Sequence, residues 1–219
     1  MLRPVIGTQL VKILVIDDHV VVRRGVKQIL EETFPHVEVG EADTGQKGVA
    51  AVQQESWDLA IVDISLPDQI GLEILCELHR VAPQLPLMVL SLHPEEQYAV
   101  RAFRAGAMAY LTKHTAPEEL ARAVKQVLTG RMYVTASLGE RMAGSLSKNP
   151  TGPDHHTLSE REFEVLRYLA QGQSIKSIGQ ALALSVKTVS TYRARLLDKL
   201  QLSTTAELIR YALDHHLVE

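Results

Sequence analysis

The chain has little sulfur to work with: its 219 residues include one cysteine, Cys76. A single cysteine excludes an internal disulfide framework and a multi-cysteine zinc site. It fits a reducing compartment, and a cytoplasmic location is expected. No apolar stretch approaches the roughly 20 residues that a membrane span needs. The opening "MLRPVIGTQLVK" is too weakly apolar to read as a signal peptide. Nor is there a strong excess of one charge: the formal net charge is −3. Residues 1–130 carry 12 basic and 17 acidic side chains, and residues 157–219 carry 8 and 7. Charge alone therefore does not mark a nucleic-acid binder, and a local patch would have to do so. What remains is ordinary for a soluble globular protein, 46% hydrophobic and 22% charged, and long enough for two domains.

The first part alternates strand-like and helix-like segments. Apolar runs stand at "VKILVI" (11–16), "HVEVGEA" (36–42), "DLAIVD" (58–63), "LPLMVLS" (85–91) and "MAYLTK" (108–113). Helical spacing lies between them. Val21, Val22, Gly25, Val26, Ile29 and Leu30 make one expected buried face. Leu72, Ile74, Leu75 and Leu78 make another, and Leu120, Val124, Val127 and Leu128 a third. Asp43 with Gln46, and Thr115 with Glu118, match capping-box spacing, and Pro117 falls in a first turn. Five strands alternating with helices predict a five-stranded parallel, doubly wound α/β sheet over residues 11–130. Such sheets bind ligands at the carboxyl ends of their strands.

Residues 131–156 read as a linker. "SLSKNPTGPDHHT" (145–157) collects loop-forming residues, and a short helix is expected around Leu138–Leu146. From residue 157 to 219 the pattern is helical. Ser159 with Glu162 and Thr204 with Glu207 are capping boxes, Gly172 suits a left-handed helix end, and Ser185 caps a longer helix. Four helices, the second and third separated by a tight turn, predict a small all-α helix-turn-helix domain.

The expected strand ends bring Asp17, Asp18, Asp63, Ser91 and Lys113 to one sheet edge. An aspartate at a strand end is by itself more often a helix cap than a ligand. Three carboxylates together repel, at roughly 4 kcal/mol per pair for about 4 Å and an effective dielectric near 20. The cluster therefore calls for a cation, and oxygen-only ligands favour Mg²⁺. A central aspartate beside Mg²⁺ and a lysine can attack phosphorus and form an acyl phosphate. Ser91 could then donate to a phosphoryl oxygen.

"ILVIDDH", "DLAIVDISLP", "VLSLH" and "AGAMAYLTK" resemble the receiver domain of bacterial two-component response regulators. The resemblance implies that Asp63 is the phosphoacceptor, served by a sensor histidine kinase. It implies Mg²⁺ on Asp17, Asp18 and Asp63, with Asp18 the more direct ligand and the Ser65 backbone carbonyl assisting. Lys113 would pair with the phosphoryl group, and Ser91 and Tyr110 would be switch residues. Ser65 and His93 occupy positions that tune dephosphorylation in the family. One departure is Asp68, which stands where the family usually has glycine, followed by Gly71.

In the last domain, residues 185–199 hold Lys187, Arg193, Arg195 and Lys199 against Asp198. Small polar residues early and basic residues on the flanks suit a helix in the major groove. Val189, Leu196, Leu197 and Leu200 read as its buried stripe. The module from "LSEREFEVLRYLAQG" to "LLDKLQL" resembles the LuxR-type helix-turn-helix, so the whole chain resembles a NarL/FixJ-type transcription regulator. The resemblance puts Lys187, Ser190, Thr191 and Ala194 toward bases and Arg193 and Arg195 toward phosphates of double-stranded DNA, with Thr188 and Lys199 also among the DNA-binding residues. It implies a homodimer on a two-fold site, with contacts around Thr204–His215 and through a receiver face. Gly179 stands where the family usually has alanine, and a less stable helix is expected there.

Two rival readings remain at this level. One is a Mg²⁺-dependent phosphohydrolase with an aspartyl nucleophile, against which stands the unexplained helical tail. The other is a phosphate-independent scaffold or DNA-binding protein, against which stands the full acidic, hydroxyl and lysine set. The expectation is a regulator and not an enzyme. His155–His156 and His215–His216 are read as exposed polar side chains and not metal ligands, Trp57 as packing before the third strand, and Cys76 as small and at least half-buried.

Overall fold

The computed structural model describes residues 10–68, 72–140, 155, 158–215, 217 and 218. They divide into two compact units, Met1–Met142 and Ala143–Glu219. Gly71, His156, His216 and the expected linker core at 145–154 lie outside the described residues.

The first unit holds β1 (Val11–Ile16), β2 (Val37–Ala42), β3 (Leu59–Val62), β4 (Leu87–Ser91) and β5 (Ala107–Thr112). They form one parallel sheet in the order β2-β1-β3-β4-β5. The apolar runs of β1, β3 and β4 are buried on both faces, as a covered parallel sheet requires. Ile13, Val15, Ile61, Met88 and Leu111 pack on one side with α1 (Val20–Thr33) and α5 (Ala116–Leu128). The other helices are α2 (Gly45–Gln54), α3 (Glu73–Val81) and α4 (Glu95–Arg104). Gly48 of α2 comes against Ile16 so closely that a side chain there would displace it.

Several local expectations shift. On α1 the buried stripe is Val26 and Leu30 flanked by Val22 and Ile29, whereas Val21 and Gly25 face solvent. The α2 cap is Thr44, not Asp43: the extended Thr44 accepts from Lys47 N, while Asp43 pairs with the Lys47 ammonium. Thr115 makes no side-chain cap on α5, because its hydroxyl turns back to the Thr112 carbonyl at 3.2 Å. Cys76 is exposed. Trp57 is half-buried, its ring filling the space over Gly40 and its Nε1 donating to Ala51 O.

The segment after α5 folds back onto this unit. Tyr133 bridges to Ala109 of β5, and its hydroxyl donates to Glu119 at 3.0 Å. Thr135 and Ser137 both donate to the buried Glu95 carboxylate, each at 2.6 Å. Residues 136–140 are helical and Leu138 is buried.

The second unit contains α6 (Glu160–Ala170), α7 (Ile175–Ala181), α8 (Val186–Lys199) and α9 (Thr205–Asp214). Ser159–Glu162 and Thr204–Glu207 form complete capping boxes on α6 and α9. Gly172 takes φ +77° after α6, a left-handed value that glycine adopts without strain. Phe163, Leu166, Ile178, Val189, Leu196, Leu208 and Ala212 are fully buried between the helices. Gly179 is buried too, and a Cβ there would stand 2.7 Å from the Leu184 carbonyl oxygen. Its lack of a side chain lets the α7–α8 turn close, which offsets the expected loss of helix propensity.

Candidate functional site

The carboxyl ends of β1, β3 and β5 converge as expected. Asp17 and Asp63 are buried, and Lys113 reaches both: its Nζ lies 2.7 Å from Asp63 Oδ2 and 2.7 Å from Asp17 Oδ2. Burial pushes the Lys113 ammonium down, but its contacts with Asp17 and Asp63 outweigh this and hold its pKa above the ordinary lysine value. Two elements fix Asp17 further. His19 N donates to its Oδ1 at 2.8 Å, and Arg23 donates to its carbonyl at 2.6 Å. Asp18 is partly exposed and faces His19 Nδ1 at 2.7 Å.

One ligand atom from each of Asp17, Asp18, His19 and Asp63 can be chosen so that all lie within 4.8 Å of one another. Asp17 Oδ2 and Asp18 Oδ1 are buried, the first 2.7 Å from Lys113 Nζ and the second 2.7 Å from His19 Nδ1. Three carboxylates gathered this closely suit a hard cation such as Mg²⁺.

A hydrogen-bonded chain joins the acceptor loop to the loop after β4. Ser65 N donates to Asp63 Oδ1 at 2.9 Å, and Ser65 Oγ lies 3.2 Å from His93 Nε2. His93 N donates to the buried Ser91 Oγ at 3.2 Å. Tyr110 is buried, and its hydroxyl donates to the His93 carbonyl at 3.0 Å. His93 also stacks on Tyr98, with ring centroids 4.6 Å apart. His19 and Arg23 are not among the site residues expected from the sequence. The "DDH" spelling held a hint of His19, but nothing in the sequence marked Arg23 as a partner of the Asp17 carbonyl. Asp68 turns away from the cluster, onto the amides of Gly45 and Gln46.

On α8 the exposed face runs through Lys187, Thr191, Ala194, Arg195 and Asp198. Thr188, Ser190 and Arg193 are half-buried, and so is Leu197 of the expected buried stripe. The Ser190 and Thr191 hydroxyls donate to the carbonyls of Val186 and Lys187 one turn back. Lys199 is engaged elsewhere, its Nζ 2.7 Å from the buried Glu162 carboxylate. The histidine pairs are less separate than they look in sequence. His155 and His215 meet edge to face over Tyr211, whose hydroxyl lies 3.1 Å from His155 Nδ1.

A lysine-bridged acidic cluster at the edge of a doubly wound sheet, followed by a helix-turn-helix unit, defines a two-domain regulator of gene expression. The chain belongs to the response regulators, with residues 13–125 matching the response regulator receiver domain and residues 156–212 the luxR family of bacterial regulatory proteins. It is 32% identical to the response regulator UvrY of Escherichia coli over 95% of this chain and 96% of that protein. It is also 32% identical to the response regulator GacA of Pseudomonas aeruginosa, over 96% and 99%. The fold is shared with RcsB of Salmonella enterica serovar Typhimurium, solved bound to the rprA promoter with the phosphomimetic BeF3⁻. That likeness has a TM-score of 0.64 at 24% identity, covering 92% of this chain and 98% of the other. The family is one of transcription-regulating response regulators. No helix among the described residues is long and apolar enough to cross a membrane.

Proposed function

We propose that Asp63 accepts a phosphoryl group from a sensor histidine kinase, with Mg²⁺ at the acidic cluster, and that this controls pairing of two copies on double-stranded DNA. The observation that carries this reading is the Lys113 bridge, one ammonium 2.7 Å from the carboxylates of both Asp63 and Asp17. It places a fixed cation where charge develops on a transferring phosphoryl group. An Asp63 oxygen forms the new P–O bond as the P–N bond of the kinase's phosphohistidine breaks. Asp17, Asp18, Asp63 and the Ser65 carbonyl would hold Mg²⁺, which when bound supplies positive charge against the phosphoryl oxygens. Lys113 exchanges a carboxylate oxygen for a phosphoryl oxygen, and Ser91 donates to another. Because His93 holds both Ser91 and Tyr110 and stacks on Tyr98, engagement of Ser91 reaches a buried ring and α4.

In the second unit α8 is the DNA-reading helix. Lys187, Thr191 and Ala194 present the exposed face to bases, with Thr188 and Ser190 beside them, and Arg193 and Arg195 meet phosphates. Residues 11–130 are the receiver, residues 131–156 the connection and residues 157–219 the DNA-binding domain. The chain works in the cytoplasm, where kinase and DNA are both accessible.

A genome-wide DNA pulldown tests the reading. Protein treated with acetyl phosphate and Mg²⁺ is compared with Asp63→Asn treated identically. Enrichment of paired half-sites by the wild type alone is expected. Equal enrichment by both proteins would refute control through Asp63.

A further inference from the structure

Asp68 is the residue that departs from the receiver pattern, and its carboxylate spans two amides of another element. It accepts from Gly45 N and from Gln46 N, one bond to each oxygen, both at 2.9 Å. These are the first two amides of α2, which the helix cannot satisfy itself. Thr44 takes the third, from Lys47 N at 3.2 Å. A carboxylate at that end also meets the positive pole of the helix. The extra carboxylate is thus hydrogen-bonded by α2.

The loop that begins at Asp63 is consequently tied at two points. At its start Ser65 N bonds to Asp63 Oδ1, and Ile64 and Leu66 are buried. Five residues after Asp63, Asp68 holds it to α2. That helix rests on β1 through Gly48 and Ile16, and Ile16 immediately precedes Asp17. A continuous path therefore runs from the acceptor loop, through α2, to the strand bearing the other two carboxylates.

We propose that Asp68 is a positioning residue for the cation site: by latching the acceptor loop to α2, it sets how Asp63 and the Ser65 carbonyl stand relative to Asp17 and Asp18, and so sets Mg²⁺ affinity. The proposal rests on the reading of this cluster as a Mg²⁺-dependent phosphoacceptor site. Groups that act through the ligands in this way change metal affinity without touching the metal.

The test is a Mg²⁺ titration of the full chain by calorimetry, alongside amide hydrogen exchange at Gly45 and Gln46. Asp68→Gly is expected to exchange faster at both amides and to bind Mg²⁺ several-fold more weakly. Asp68→Asn, which keeps one acceptor oxygen, is expected to fall between it and the wild type, and it serves if the glycine variant does not fold. Thr44→Ala removes the other cap of the same helix but leaves the latch intact. It is expected to lower stability while leaving Mg²⁺ affinity unchanged. Wild-type affinity in Asp68→Gly would overturn the proposal. So would an equal loss in Thr44→Ala, or an Asp68→Asn variant as weak as Asp68→Gly, since charge alone would then explain the effect. Failure of the underlying reading looks different: the wild type itself would take up neither Mg²⁺ nor a phosphoryl group.

Discussion

Lys113 and Asp63, 50 positions apart in sequence, meet through an ammonium–carboxylate contact of 2.7 Å inside the sheet edge. The same ammonium serves Asp17, so Lys113→Ala would leave two buried carboxylates without their counter-charge. Breaking such a buried pair costs about 3–5 kcal/mol. Denaturant unfolding of Lys113→Ala in EDTA should show a loss of that order in the first unit. Added Mg²⁺ should recover part of it, because a cation would again face the carboxylates.

Lys199 and Glu162 set a pH dependence in the second unit. Burial pushes the Glu162 carboxyl up, but Lys199 and the Ser159 cap outweigh it and hold its pKa below the ordinary 4.5. A lowered folded value means that this contribution is fully present above 4.5 and is lost as pH falls through the folded value. Thermal unfolding of the second unit should therefore weaken on acidification below that point, and less so in Glu162→Gln. Lys199→Ala should lower stability more than it lowers DNA affinity.

Lys187 and Arg195 share the exposed face of α8, two turns apart. The double variant Lys187→Ala, Arg195→Ala should bind DNA more weakly, with a salt dependence shallower by roughly 1 for each phosphate that is no longer neutralised. Fluorescence anisotropy over a salt series reads both. Unchanged affinity and slope would place the reading helix elsewhere.

The first unit reads clearly in the sequence because its strands are buried on both faces. An uninterrupted apolar run such as Ile13–Ile16 has few alternatives to a covered strand. Local caps were legible where both partners lie within one turn, as at Ser159–Glu162 and Thr204–Glu207. The α2 cap was not, because Asp68 comes from another loop and takes two of the amides that Asp43 and Gln46 were expected to organise. The Lys199–Glu162 contact was not legible for the same reason: the two lie 37 positions apart, and spacing cannot show that a basic residue is already paired. The Asp17, Asp63 and Lys113 convergence was legible because parallel strands place every carboxyl end on one edge.

Glu95 opens α4, just after the loop of Ser91 and His93, and holds Thr135 and Ser137 through two hydrogen bonds of 2.6 Å. Glu95→Ala removes a buried charged acceptor, a loss worth about 1.5–3 kcal/mol per hydrogen bond at most. Faster hydrogen exchange across residues 133–138 is expected, with the β1 and β3 amides unchanged.

The central claim is that Asp63 is the phosphoacceptor, and intact-protein mass measurement tests it most directly. Wild-type chain is incubated with acetyl phosphate, with Mg²⁺ or with EDTA, beside Asp63→Asn. The account predicts the mass of one added phosphoryl group in the wild type with Mg²⁺, and none in EDTA or in the variant. No adduct in the wild type with Mg²⁺, or the same adduct on Asp63→Asn, would contradict it.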